Sequence, residues 1–220
     1  MIRPFGEAAL LVELGGPDRA QALAASIRRE PIAGVVGTVP GLESLLVDLD
    51  PLSADAARVP AALEERILRL ADAPAAGRLR TIPVVYGGDH GPDLAEVASM
   101  AGLTEGEIVA RHASAELRVL FGGFAPGFAY LGGVRDALDV PRLATPRTRT
   151  PAGSVALADG MSGIYPAELP GGWRVIGRTP ITVFDAHRLP PAYLEPGDRV
   201  RFEPIDAVAW DRFGALPDDW

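Results

Sequence analysis

Three groups of side chains in this sequence are able to do chemistry, and all three are set among glycine and proline. The first is the run Tyr86-Gly87-Gly88-Asp89-His90-Gly91-Pro92-Asp93, which packs two carboxylates, one imidazole and three glycines into one turn. A carboxylate beside an imidazole orients the ring and raises its basicity, as a general base requires. The same spacing also fits a plainer use, with Asp93 as a helix cap and His90 as a solvated loop residue. The second group is Arg147, Arg149 and Arg178, with Thr148, Thr150 and Ser154 close in sequence. Planar guanidinium forks match carboxylates and phosphates; surface ion pairs are the alternative. The third is aromatic: Phe124, Phe128, Tyr130, Tyr165 and Trp173. Rings held on stiff turns can stack on a flat ligand, or they can form the core of a barrel.

Most of these residues fall within Phe121–Pro180, sixty residues that hold 11 Gly and 7 Pro. Short β-prone runs there (LRVLF begins just before it, then SVALA, WRVIG and ITVFD) alternate with Ala-Pro-Gly and Pro-Gly-Gly turns. Such a block specifies rigid turns on a β scaffold, where binding residues concentrate. The rest of the composition narrows the chemistry. There is no cysteine, so disulfides, thiolate metal sites and cysteine nucleophiles are excluded. All 21 basic residues are arginine, which excludes lysine Schiff bases and the Walker A motif. His90, His112 and His187 are far apart and form no paired metal motif, so no metal site is expected. A net charge of −8 without a basic run argues against nucleic acid or anionic membrane as partner. No apolar run is long enough for a membrane span and the first residues are not a signal peptide, so a cytoplasmic location is expected.

The elements that must position these groups can be read from periodicity. Residues 1–76 read as a small α/β domain of order βαββα: a strand at Ala8–Leu14, a helix from Pro17 to about Arg29, strands at Val35–Val39 and Ser44–Asp50, and a helix from about Ala54 to Ala71 kinked near Pro60. The Ala/Pro/Gly run 72–79 is the expected connection. Residues 77–205 read as a second domain. It opens with a strand at Arg80–Tyr86 and helices at Leu94–Met100 and Thr104–Ala113, the latter with Thr104 and Glu107 spaced as a capping box. Strands separated by Gly/Pro turns follow, as in a β-barrel or sandwich. Residues 206–220 form an acidic tail, read as a loose helix.

The ordered motifs carry more than their composition. Tyr86-Gly-Gly-Asp-His-Gly-Pro-Asp-Leu94, Gly123-Phe-Ala-Pro-Gly-Phe-Ala-Tyr-Leu-Gly-Gly133, Pro146-Arg-Thr-Arg-Thr-Pro-Ala-Gly-Ser-Val155, Gly163-Ile-Tyr-Pro166, Pro170-Gly-Gly-Trp173 and Ile176-Gly-Arg-Thr-Pro180 together resemble one family. It is the family of 5-oxoprolinase B subunits, also called KipI-like or allophanate hydrolase subunit 1, related to the carboxyltransferase region of urea amidolyase. The resemblance runs from Phe5 to Phe202. It implies an α+β protein, with an N-terminal α/β domain followed by a cyclophilin-like β-barrel. It also implies two partners, the KipA-like C subunit and the LamB/YcsF-like A subunit of 5-oxoprolinase. Together the three would carry out ATP-dependent hydrolysis of 5-oxo-L-proline to L-glutamate. Phosphorylating the carbonyl oxygen of a stable lactam would make it a leaving group before water opens the ring.

Within that resemblance, Asp89, His90 and Arg147 are the expected catalytic residues. Phe124, Pro126, Gly127, Tyr130, Arg149, Ser154, Tyr165, Trp173 and Arg178 are the expected substrate contacts. Replacing Arg147 or His90 by alanine is expected to abolish activity of the assembled complex without unfolding the chain. Alternative functions are a carboxyltransferase or allophanate hydrolase-type module acting on urea-derived amides, and a KipI-like inhibitor of a sensor histidine kinase. The chain departs from the family pattern at Asp89 (often Glu), at Ala129 (often Pro) and at Met161-Ser162 (often Gln-Thr).

Overall fold

A computed structural model describes residues 1–70, 77–134, 136–213, 217 and 220. The chain divides into two compact units, Met1–Ala76 and Gly77–Trp220; the connection expected over 72–79 falls largely outside the described residues. In the first unit, β1 (Ile2–Pro4), β2 (Ala9–Glu13), β3 (Val35–Pro40) and β4 (Ser44–Leu49) form an antiparallel sheet of order β1-β2-β4-β3. Strand alternation sends Leu10, Val12, Leu45 and Val47 to one face. There they meet Ala20, Leu23, Ala24 and Ile27 of α1 (Pro17–Arg29) and Val59 and Leu63 of α2 (Arg58–Leu68). The expected βαββα order gains β1, which at three residues is too short to show a period. Pro60 does not kink α2, because it is the third residue of the helix, where the missing N–H has no partner within the helix. Asp55 sets that start: its carboxylate accepts the N–H groups of Arg58 at 3.0 Å and Ala57 at 2.9 Å, which hold its pKa below the ordinary range.

The second unit contains β5 (Leu79–Tyr86), α3 (Leu94–Ala101), α4 (Glu105–Ser114), β6 (Leu117–Gly122), β7 (Ala129–Gly132), β8 (Arg147–Thr150), β9 (Ser154–Ala158), β10 (Met161–Ile164), β11 (Leu169–Gly171), β12 (Arg174–Arg178) and β13 (Arg199–Pro204). Seven strands close into a barrel in the order β10-β7-β6-β13-β5-β12-β9, which decides between barrel and sandwich. Within it, β13 runs parallel to β5, from Arg199 opposite Leu79 to Pro204 opposite Val84, and the other neighbours are antiparallel. The capping box of α4 forms as expected: Thr104 Oγ1 accepts the Glu107 N–H and the Glu107 carboxylate accepts the Thr104 N–H. The run Ile181–Asp185, expected as a strand, makes only the isolated bridge Phe184–Ala192. Its partner segment contains Pro190 and Pro191, which have no N–H with which to extend a ladder.

The barrel wall is apolar on both sides. Along β9, Val155 and Leu157 join the main core with Ile82, Val84, Leu117 and Ile164, while Ala156 and Ala158 face the opposite way, beneath Phe128, Tyr165 and Trp173. Small alanines on that second face leave room for the large rings. The tail expected over 206–220 is, in its described part, a short 3-10 turn at Ala207–Arg212.

One polar chain crosses the core. His112 is fully buried; its Nδ1 lies 2.7 Å from the Tyr86 hydroxyl and its Nε2 lies 3.0 Å from Ser162 Oγ. The ring also stacks on Phe202, with centroids 4.5 Å apart. A neutral imidazole donates from one nitrogen and accepts on the other, so both ends are satisfied without charge. Ser162 thus supplies the hydroxyl at one end of this polar chain, and Met161 packs against the outer aromatic cluster. Burial pushes the His112 pKa down to about 3 and raises that of Tyr86. The folded value lies below the unfolded one of about 6.5, so His112 favours folding at neutral pH and this contribution is lost as pH falls toward 3. By linkage, unfolding free energy should drop by about 2 kcal/mol between pH 7 and pH 5 on account of this residue. Urea denaturation of the wild type and His112→Gln at both pH values checks this. The variant should lose that part of the pH dependence; an identical slope in both proteins would mean that His112 is not buried neutral.

Candidate active site

One of the residues singled out by sequence, Arg147, is held by a buried carboxylate, that of Asp93. Asp93, just before α3, is 5% exposed. Its Oδ1 accepts a hydrogen bond from Arg147 Nη2 at 2.6 Å and its Oδ2 accepts the Val175 N–H at 2.7 Å, while its own N–H donates to Val175 O at 2.9 Å. One side chain therefore fastens the His90 turn, β12 and the start of β8. It stands at the N-cap position of α3, where its carbonyl accepts the Val97 N–H, but its side chain makes no bond to the first turn of the helix. The other terminal nitrogen of Arg147, Nη1, is buried without a hydrogen-bond partner. Asp93 fixes the orientation of the fork, and a buried donor without a partner is costly.

Asp89 and His90 lie on a 3-10 turn, Gly88–His90, that directly follows β5. Gly91 closes the turn against the barrel: a Cβ there would meet Ile176 O at 2.1 Å and Gly87 N at 2.6 Å, so no side chain fits. Asp89 is exposed and His90 half-buried, with His90 Nδ1 buried and unpartnered. The His90 ring stacks on Trp210 of the C-terminal turn, with centroids 4.8 Å apart and planes 24° apart. The Arg178 guanidinium lies 5.4 Å from the centroid of the same indole, and its Nε donates to Ala152 O at 2.7 Å. Gly153 allows this approach; it has a φ of +80° and its Cβ would meet Thr179 O at 2.4 Å. The turn before β9 thus brings Arg178 to the same indole as His90.

The other expected contacts divide into two sets. Tyr165 and Trp173 are buried at 2% and 5% exposure and hold the turns from within. The Tyr165 pKa is raised chiefly by burial, against the opposing pull of a bond from the Trp173 backbone N–H. Phe128 packs edge-on against both rings and against Tyr130. Tyr130 is half-buried, stacks on Phe121 at 4.3 Å, and has its pKa raised by burial. Phe124 is the outward member: it is 58% exposed at a φ of 65°, a left-handed backbone that a non-glycine residue adopts at a cost. Beside it, Pro126 is exposed, and Gly127 fits against Phe184, whose Cβ a side chain would meet at 2.4 Å.

Ser154 is buried at the start of β9 and its carbonyl accepts the Tyr165 N–H. Arg149 is 80% exposed and pairs with Glu168 at 3.6 Å, away from the Asp93 junction. The structure therefore joins Arg147 to Asp93 on one hand, and His90 to Arg178 through Trp210 on the other. Asp93 as the anchor of Arg147, and Trp210, were missed in the sequence. Asp93 lies inside the motif already singled out; nothing local marks Trp210.

Comparison with known proteins agrees with this architecture. The family model for the carboxyltransferase domain, subdomain C and D, matches residues 1–194. The B subunit of 5-oxoprolinase from Escherichia coli O157:H7 is 40% identical over 211 residues, covering 91% of this chain and 94% of that protein. The corresponding B subunit from Bacillus subtilis (strain 168) is 37% identical over 218 residues, 91% of each chain. The crystal structure of TTHA0988 matches with a TM-score of 0.80 at 37% identity, covering 94% of this chain and 41% of that one. This chain thus spans about two-fifths of the length of that protein. Among the described residues no helix is long and apolar enough to cross a membrane. A family model matched over most of the sequence, and relatives matched nearly end to end, place the chain in the family of 5-oxoprolinase B subunits.

Proposed function

We propose that this chain is the B subunit of a cytoplasmic, ATP-dependent 5-oxoprolinase that acts with the A and C subunits to hydrolyse 5-oxo-L-proline to L-glutamate. The observation that carries this reading is the Arg147 fork, held on one side by buried Asp93 with its other donor, Nη1, unpartnered. A carboxylate such as that of 5-oxoproline is the ligand such a half-occupied fork fits. The developing charge on a lactam oxygen is the other group it would stabilise. Asp89 and His90, on the turn that ends at Asp93, supply the proton-handling groups. ATP supplies the phosphoryl group that activates the amide oxygen. With no lysine in the chain, any phosphate that reaches this protein is held by guanidinium and backbone N–H groups. We take the closed barrel to be of the cyclophilin-like type.

The site is incomplete in the isolated chain on this reading. The matched region is under half of the TTHA0988 chain, which supports completion by further polypeptide. A second reading, a carboxyltransferase-type module, is favoured by the description of the matching family model.

Mixing this chain with the A and C subunits should give ADP release that depends on 5-oxoproline, with no turnover when any one of the three is omitted. Absence of turnover in the full mixture would overturn the assignment. Loss of that turnover on adding avidin would favour the carboxyltransferase reading, which needs a biotin-bearing partner. Arg147→Ala would strand a buried carboxylate and so loosen the fold as well as the site. Arg147→Lys keeps a cation beside Asp93 and removes the fork. It should lower kcat/KM of the complex by about 100-fold with the melting temperature unchanged. Turnover at the wild-type level by this variant would remove Arg147 from the site.

A further inference from the structure

Trp210 occupies a place built from other parts of the chain. The backbone that carries His90 and the guanidinium of Arg178 are held without it. His90 is set by the Gly87–Gly91 turn, whose backbone closes through His90 N–H and Gly91 N–H to Gly87 O at 3.1 and 2.9 Å. Arg178 is set by its bond to Ala152 O. The turn that brings Trp210 is held far less firmly. Among the described residues, Ala207–Arg212 has no buried side chain, Val208 is 86% exposed, and the backbone bonds Ala209 N–H to Asp206 O and Phe213 N–H to Trp210 O are local to the turn, the last bond to the barrel before it being Ile205 N–H to Val84 O. Few buried contacts and local bonds alone mark a segment that opens at low free-energy cost. His90 and Arg178 also lie inside the family-model match, which stops at residue 194, whereas Trp210 lies beyond it.

We propose that His90 and Arg178 form a stacking slot for a planar heteroaromatic ring, and that Trp210 fills this slot in the free chain as a displaceable internal stand-in. An imidazole face and a guanidinium plane are general binders of flat π-systems, and what they hold here, an indole, is a fused bicyclic ring of purine size. The ligand class is therefore a nucleobase-like ring. Stacking uses the face of His90 and proton transfer its edge, so this role does not compete with the one proposed above. The slot is carried by this chain alone and stands independently of the 5-oxoprolinase reading.

The test uses the full chain without partners and adenosine as the probe. In proton NMR, the ring signals of His90, assigned with His90→Gln, should be shifted upfield by the indole in the wild type and should lose that shift in Trp210→Ala. Adenosine should then bind Trp210→Ala at least tenfold more tightly than wild type, since it no longer has to expel the indole. It should restore an upfield shift at His90, and Trp210→Ala combined with Arg178→Gln should lose the binding. Trp210→Leu, a milder change, should behave as Trp210→Ala. Equal affinity in wild type and both Trp210 variants, absence of binding at millimolar adenosine, or binding that survives loss of Arg178 would each overturn the slot.

Discussion

The candidate site depends on one carboxylate, that of Asp93, buried at the junction of three segments. It takes one hydrogen bond from Arg147 and one from the Val175 backbone, and the Asp93 N–H returns a third to Val175. Removing it would leave the Val175 N–H and the Arg147 guanidinium without their acceptor, while the backbone bonds from Gly87 N–H to Ile176 O and from Asp93 N–H to Val175 O would still join the His90 turn to β12. A half-buried cation is tolerable only while such a partner is present. The arrangement gives precision as well as stability, since a two-toothed fork held at one tooth has one direction left for the other.

The barrel supplies the rigidity against which this junction works. Both faces of its wall are packed, with aliphatic side chains within and an aromatic cluster outside, so β7, β9 and β12 cannot shift independently. The turns at its rim are equally constrained. Gly91 and Gly153 lie so close to neighbouring backbone that no side chain could enter, and Phe124 keeps a left-handed backbone while exposing its ring. The Tyr86–His112–Ser162 chain ties the end of β5, from which the His90 turn departs, to α4 and β10. This links a buried polar network to the geometry of the exposed turn.

Much of this was legible in the sequence wherever the determining interactions are local. The Thr104/Glu107 capping box, the start of α1 at Pro17 and the Gly/Pro-punctuated strands follow from neighbours within a few residues. What escaped depends on partners far apart in the chain. The parallel pairing of β13 with β5 joins residues about 120 positions apart, and no periodicity encodes it. Asp93 and Arg147 are 54 residues apart, and each has an adequate local explanation, a cap or a surface cation, that conceals the pair. Ile181–Asp185 has the composition of a strand but faces a proline pair. Trp210 sits in a polar tail, where only tertiary contact reveals its role.

The anchoring of Arg147 by Asp93 is tested most directly by a double-mutant cycle between the two, read as unfolding free energy in urea. Asp93→Asn, Arg147→Gln and the double variant, compared with wild type, isolate the interaction between the two side chains. A coupling of about 1–3 kcal/mol is predicted, with the single variants each costing nearly as much as the pair. A coupling near zero would mean that Asp93 does not hold Arg147, and that the proposed site lacks its organising contact.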